Sequence, residues 1–264
     1  MQHSELEALT ASASAVFNIS IDKLEKLTKG VSNKNYLLVS KGEKYLLKCY
    51  SHGVPVAALK AQNILAVQGI TSKVLQYDLQ TRMAVFTFMP EVCGSPSLNT
   101  SLLEQVLQVH QLELEVYEVL DLVGYIQTVD EPIHQLLDIE WLIKTLTGLP
   151  EDIAFCHNDL VESNIIQSPE GIRLIDFEYA CHSDIFFDLA ALVCSFNYDT
   201  QRAMTVVESY FALKEQPMPV YAQLKLTVFC QAYLIVSIQW YEQRGIANEA
   251  KKLRQLLKLW VDSH

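Results

Sequence analysis

The residues best suited to chemistry sit in one stretch of the chain. It runs Cys156-His157-Asn158-Asp159-Leu160-Val161-Glu162-Ser163-Asn164-Ile165-Ile166 and resumes as Leu174-Ile175-Asp176-Phe177-Glu178. Apolar runs at 165–166 and 172–175 flank a Ser168-Pro169-Glu170-Gly171 turn, the pattern of a short hairpin. Such a hairpin would bring Asn164 and Asp176, at its outer ends, close together. An amide oxygen beside a carboxylate makes a hard-oxygen pair suited to Mg²⁺. Asp159 lies on the loop feeding the first strand and can face the same point as a base. Phosphoryl transfer needs this set: an acid to accept the proton of the attacking hydroxyl, and oxygen ligands for a metal on the phosphates. An isolated Asp on a loop is usually a cap or turn residue, but the ordered set is far more specific.

The elements that must position these residues fall into two textures. Ser4-Glu5-Leu6-Glu7 reads as a helix start within a helix and connector over residues 1–30. Residues 36–39 and 44–50 read as strands around a Lys41-Gly42-Glu43 turn, residues 57–69 as a helix stopped by Gly69, and 74–77 and 83–88 as further strands. After Met89-Pro90-Glu91 a Gly/Ser/Pro/Asn-rich patch leads into helical spacing over 102–114, 131–146, 203–213, 220–243 and 247–261. The expected division is a strand-rich segment, residues 1–89, and a larger, mainly helical one, residues 90–264.

Composition narrows the partners. Of 264 residues half are apolar, enough for a sizeable core, and 20 basic against 31 acidic side chains leave a formal charge of −11. A surface that acidic repels phosphate backbones and anionic lipid, so neither nucleic acid nor membrane is an expected partner. Six cysteines without a CxxC pair or metal-ligand spacing suit a reducing compartment. The N-terminus lacks a secretory pattern, and the most apolar segment, 228–238, is too short to span a bilayer needing ~20 apolar residues. A cytoplasmic location is the expectation. Oligomeric state is not legible.

The sequence CHNDLVESN followed by LIDFEYA resembles the signature of the aminoglycoside phosphotransferase/choline kinase family, relatives of protein kinases, and is most similar to choline and ethanolamine kinases. The stretch 171–192, the helical tail and the length also resemble bacterial thiamine kinase. The resemblance implies an α+β, bilobal protein-kinase-like fold, with a small antiparallel-sheet N-lobe carrying one helix and a larger, mainly helical C-lobe. It implies ATP and Mg²⁺ as cofactors, Asp159 as catalytic base, and Asn164 and Asp176 as metal ligands. His157 matches a histidine bracing the catalytic loop, and Asp188 a buried acid tying that loop to the next helix. Residues 30–36, Gly30-Val31-Ser32-Asn33-Lys34-Asn35-Tyr36, resemble a phosphate-covering loop, with Ser32 and Asn33 as nucleotide contacts. Lys48 sits where the family places a cation on the phosphates. Phe88 and Met89 fall in a segment resembling the inter-lobe linker, whose backbone would bond adenine.

The chain departs from that pattern in two places. The helix after Lys48 holds no acid to orient it, leaving Gln62 as the nearest match, and a neutral amide orients a lysine less strongly than a carboxylate. The acceptor is a small alcohol, expected to be cationic, because aromatic faces hold ammonium groups. Tyr198 and Trp240 supply such faces, with Glu178 as the carboxylate, whereas Ser195 and Phe196 stand where choline kinases carry an acid and a tryptophan. Choline or ethanolamine and thiamine are the leading acceptors. An aminoglycoside-type kinase and a catalytically silent kinase-like binding module are the alternatives. A two-metal hydrolase would need further histidines at ligand spacing, and His110, His134 and His182 are isolated in the sequence.

Overall fold

The computed structural model describes residues 2–28, 32–92, 94–114 and 118–262. Gly30 and Val31 of the expected phosphate loop, and Cys93 of the expected joint, lie outside them. The chain forms two compact units, residues 1–94 with 167–178, and residues 95–166 with 179–264.

The first unit is built on a five-stranded antiparallel sheet in the order β1-β2-β3-β5-β4. Its strands are β1 (Lys23–Lys26), β2 (Lys34–Ser40), β3 (Glu43–Cys49), β4 (Val74–Asp78) and β5 (Met83–Thr87). The β2–β3 register runs to Ser40 opposite Glu43, leaving a two-residue turn in which Lys41 and Gly42 both have positive φ, 52° and 81°. That geometry matches the right-handed twist of the flanking strands, and Gly42 adopts it without a Cβ clash. Alternation along the strands divides the apolar residues between two faces. Leu38, Leu47, Met83 and Val85 pack with Ala13 and Phe17 of α1 (Gln2–Phe17). Ala84 and Phe86 pack with Leu59 of α2 (Val56–Val67). The unit thus carries α1 in addition to the one helix expected between its strands. As expected, α2 stops at Gly69: Ile70 N–H donates to Leu65 O and Gly69 N–H to Ala66 O, each at 3.1 Å, with Gly69 at φ 76°. The segment 167–178 joins this unit through Leu174 N–H to Ile70 O (2.9 Å) and Val92 N–H to Gln167 O (2.8 Å).

The second unit is mainly helical. It comprises α3 (Thr100–His110), α4 (Leu122–Gln127), α5 (Glu131–His134), α6 (Ile139–Gly148), α7 (Ile185–Ser195), α8 (Thr200–Leu213), α9 (Ala222–Gln243) and α10 (Ala247–Asp262). A strand pair, β6 (Ile153–Cys156) with β9 (Cys181–Asp184), sets Cys156 opposite Cys181. The hairpin foreseen after residue 164 is present as β7 (Ile165–Ser168) and β8 (Gly171–Leu174). The single helix expected over 131–146 is instead broken, because the Asp138 carboxylate accepts Trp141 N–H at 3.0 Å and starts a new helix. Helix α7 is buried on nearly every side, so it shows no polar face for periodicity to detect. It packs on α9, the central helix, which contains the apolar 228–238 segment. Among the described residues no helix is long and apolar enough to cross a membrane.

Candidate active site

In the second unit the loop after β6 is held from beneath by one carboxylate. Asp188, in the first turn of α7 and fully buried, accepts His157 N–H at Oδ2 (2.8 Å) and Asn158 N–H at Oδ1 (2.7 Å). Its Oδ2 also lies 3.0 Å from His110 Nε2, and His110 Nδ1 lies 2.7 Å from the Tyr210 hydroxyl. The tautomer with hydrogen on Nε2 satisfies every partner: Tyr210 O–H donates to Nδ1 and Nε2–H donates to Asp188. Burial foremost, with the charges of Cys156 and Asp188 behind it, raises the Tyr210 pKa and keeps its proton in place. The loop can therefore turn sharply. Asn158 takes φ 62°, a left-handed conformation that Asn tolerates better than most residues. Its side chain is secured at both ends, accepting Ser183 Oγ–H (2.5 Å) and donating to Tyr179 O (3.1 Å).

That turn presents Asp159, half-buried, whose backbone N–H donates to His157 Nδ1 at 3.2 Å. Asn164, in a 3-10 turn at 162–164, donates through its one amide nitrogen to Asp159 O (2.9 Å) and Asp159 Oδ2 (2.7 Å). With the amide hydrogens spent on Asp159, the carbonyl oxygen is the polar atom Asn164 can offer a hard cation, the donor type Mg²⁺ takes. Asp188 thus braces the loop through the backbone N–H groups of His157 and Asn158. His110 and Tyr210 complete the brace, and nothing in the sequence joined them to it. His110, Cys156 and Asp188 lie within metal-ligand spacing of one another. Both imidazole nitrogens and both carboxylate oxygens are occupied by hydrogen bonds, so the trio serves as a clamp.

Acceptor candidates lie in the same unit. Trp240 Nε1–H donates to the Tyr179 hydroxyl at 3.2 Å, and the Trp240 and Tyr241 rings meet edge to face at 4.9 Å. Tyr241 and Tyr233 both have raised pKa values, through burial first and the Asp159 charge second, which sets them within electrostatic reach of Asp159. Tyr198 stands beside Phe196 with ring centroids 6.1 Å apart.

The first unit carries the remaining candidates. Lys48 on β3 is 5% exposed, and its ammonium pairs with Asp176 and, at 3.4 Å, with Glu178. Burial works against that charge, yet the two carboxylates outweigh it and hold the Lys48 pKa above its ordinary value. Lys48 is therefore oriented from the 176–178 segment. Gln62, the nearest match on the helix, is buried and donates to Ser72 O (2.9 Å) and Ser72 Oγ (3.1 Å). Glu178, read from the sequence as an acceptor contact, is bound by Lys48 and by the Asn33 amide. Asn33 Oδ1 in turn accepts Ser51 N–H (3.0 Å), and Ser51 Oγ–H donates to Ser32 O (2.7 Å). Asp176 has φ 68°, a costly conformation fixed by its neighbours. Phe88 and Met89 follow directly on β5 and are half-buried.

Comparison with known proteins matches this architecture. A choline/ethanolamine kinase family model matches residues 24–261. The choline/ethanolamine kinase of Mus musculus is 30% identical over 142 residues, covering 51% of this chain and 34% of that protein. The chain thus spans about a third of the length of that relative. Among solved structures, a choline/ethanolamine kinase family protein from Mesorhizobium loti superposes with a TM-score of 0.72 at 16% identity, over 100% of this chain and 94% of that one. Choline kinase LicA from Streptococcus pneumoniae gives 0.67 at 19% identity, over 97% and 99%. An aminoglycoside phosphotransferase gives 0.65 at 14% identity, over 97% and 99%. These likenesses establish the protein-kinase-like fold, and the family match covers nearly all of the two units. The chain belongs to the choline/ethanolamine kinase family.

Proposed function

We propose that this chain transfers the terminal phosphoryl group of ATP to the hydroxyl of a small cationic alcohol, of the choline, ethanolamine or thiamine kind, with Mg²⁺ as cofactor. Asp159 orients the acceptor hydroxyl and takes its proton as the new O–P bond forms and the bond to the ADP oxygen breaks. Asn164, through its carbonyl oxygen, and Asp176 hold the cation. When bound, Mg²⁺ neutralises charge developing on the phosphate oxygens. Lys48 supplies a fixed positive charge to the phosphates, and Asp176 and Glu178 keep that ammonium protonated and aimed. Ser32 and Asn33 line the phosphate loop, and the backbone at Phe88 and Met89 bonds the adenine. His157 and Asp188 hold the Asp159 loop in register, while Tyr198 and Trp240 offer aromatic faces to the acceptor. Residues 1–89 are assigned to the nucleotide and 90–264 to catalysis and the acceptor. Free cysteines among the described residues suit a reducing, cytoplasmic setting.

The observation that carries this reading is the braced loop: one buried carboxylate fixes two successive backbone N–H groups, and Asn164 then fixes Asp159. A neighbour of the same fold, LicA, has been solved in complex with AMP, which supports a nucleotide for this chain as well. The test is ADP release measured with choline, ethanolamine, thiamine and an aminoglycoside in parallel. Turnover with one of the first three supports the reading. Turnover with the aminoglycoside alone moves the substrate class, and ADP release no faster with any alcohol than without marks a silent module.

A further inference from the structure

Both aromatic faces assigned to a cationic acceptor are already covered by a cation of the chain itself. The Arg244 guanidinium carbon lies 3.8 Å from the centroid of the Trp240 ring, and that of Arg202 lies 4.0 Å from the centroid of Tyr198. In each case the arginine follows its aromatic partner by four residues, Arg244 one turn beyond Trp240 at the end of α9 and Arg202 in the first turn of α8, just after Tyr198. Arg244 caps α9 and is tied down further, its Nη1–H donating to Trp240 O at 3.3 Å. Among the described residues no carboxylate pairs with Arg244, whereas nearby Arg254 pairs with Glu242 and with Asp130. Among the described residues, then, no acid within ion-pair distance neutralises the positive charge over Trp240. Trp240 is also the aromatic residue linked to the Asp159 loop, through Tyr179, whose carbonyl accepts the Asn158 amide.

We propose that Arg244 sets acceptor specificity by occupying the Trp240 face, so that a quaternary ammonium group must displace the guanidinium to bind there. The proposal deepens the cationic-alcohol reading and rests on it for its biological meaning. A ring face attracts one cation at a time, and a second positive group brought beside Arg244 meets repulsion as well as competition. An ammonium whose bulk is methylated needs the face most, since it has no N–H to offer a carbonyl or carboxylate. Arg244 thus weighs against choline relative to an alcohol bearing a primary amine, which can bond elsewhere.

Tetramethylammonium isolates the effect because it has neither a hydroxyl nor an N–H. Its binding is followed by titration calorimetry in the full chain, the Arg244→Gln and Arg244→Ala variants, and Trp240→Leu combined with Arg244→Gln, each verified as folded by circular dichroism. The expected result is at least about fivefold tighter binding in both single Arg244 variants, lost again in the double variant. Equal or weaker affinity in the single variants overturns the proposal, as does a complete lack of binding by them or undiminished binding by the double variant. No phosphate is transferred in this experiment. A chain inactive toward every alcohol would fail the functional reading while still reporting on Arg244, and an active one with unchanged tetramethylammonium affinity would fail only the inference.

Discussion

Replacing Asp188 by Asn changes one atom's chemistry at nearly constant volume, so no cavity term enters. In the native chain Oδ1 accepts Asn158 N–H at 2.7 Å, and Oδ2 accepts His157 N–H at 2.8 Å while facing His110 Nε2 at 3.0 Å. An amide offers only one acceptor oxygen. If that oxygen keeps the Oδ2 position, the new NH₂ confronts the Asn158 N–H donor to donor, at a site with no access to water. One hydrogen bond to a charged acceptor is lost, about 1.5–3 kcal/mol, and a buried donor is left unmade at about 1–3 kcal/mol more. The sum is about 2.5–6 kcal/mol, a large fraction of a typical domain's roughly 5–15 kcal/mol. Urea unfolding followed by circular dichroism measures it, together with phosphotransfer from ATP under native conditions. Asp188→Asn is expected to lower the unfolding free energy by that amount and, where the chain remains folded, to reduce kcat far more than ATP affinity, because the register of Asp159 is what slips. A variant within 1 kcal/mol of the native protein, with unchanged kcat, would refute the clamp.

Asp159→Asn is expected to lower kcat by at least about a hundredfold, as loss of a general base does, with ATP binding by calorimetry nearly intact; retained turnover removes Asp159 from the proton transfer. Asp176→Ala is expected to abolish the Mg²⁺ dependence of ATP binding and to loosen Lys48, seen as weaker nucleotide binding even in EDTA. Unchanged Mg²⁺ titrations would place the cation elsewhere. Lys225 is 1% exposed and bridges Asp184 (2.5 Å) and Asp152 (2.7 Å) while donating to Pro150 O (2.6 Å). Lys225→Met strands those carboxylates and is expected to cost about 3 kcal/mol in chemical unfolding, whereas a change below 1 kcal/mol would mean water replaces the ammonium.

Local chemistry was legible wherever a residue's conformation or partner is set within a few positions. Gly69 ends α2 because a left-handed residue is needed there, and the Lys41-Gly42 turn fixes the β2–β3 register, both decided by short-range sterics. The Asp159–Asn164 pair is likewise close in sequence, and the hairpin after it follows from two apolar runs around a turn. Elements without a polar face or of only four residues left no periodic signal, which is why α7, β6 and β9 emerged only in the fold. The His110–Asp188–Tyr210 clamp spans three helices, and its members are ordinary residues until packing excludes water and obliges each polar atom to find another. The same holds for Lys48. Its helix carries no acid, so the sequence pointed to Gln62, but burial of an ammonium demands a carboxylate, and the chain supplies two from residues 128 and 130 positions away. Residue types thus determined the chemistry available to this protein, while the choice of partners belonged to the tertiary structure, because only burial makes a polar group's pairing compulsory.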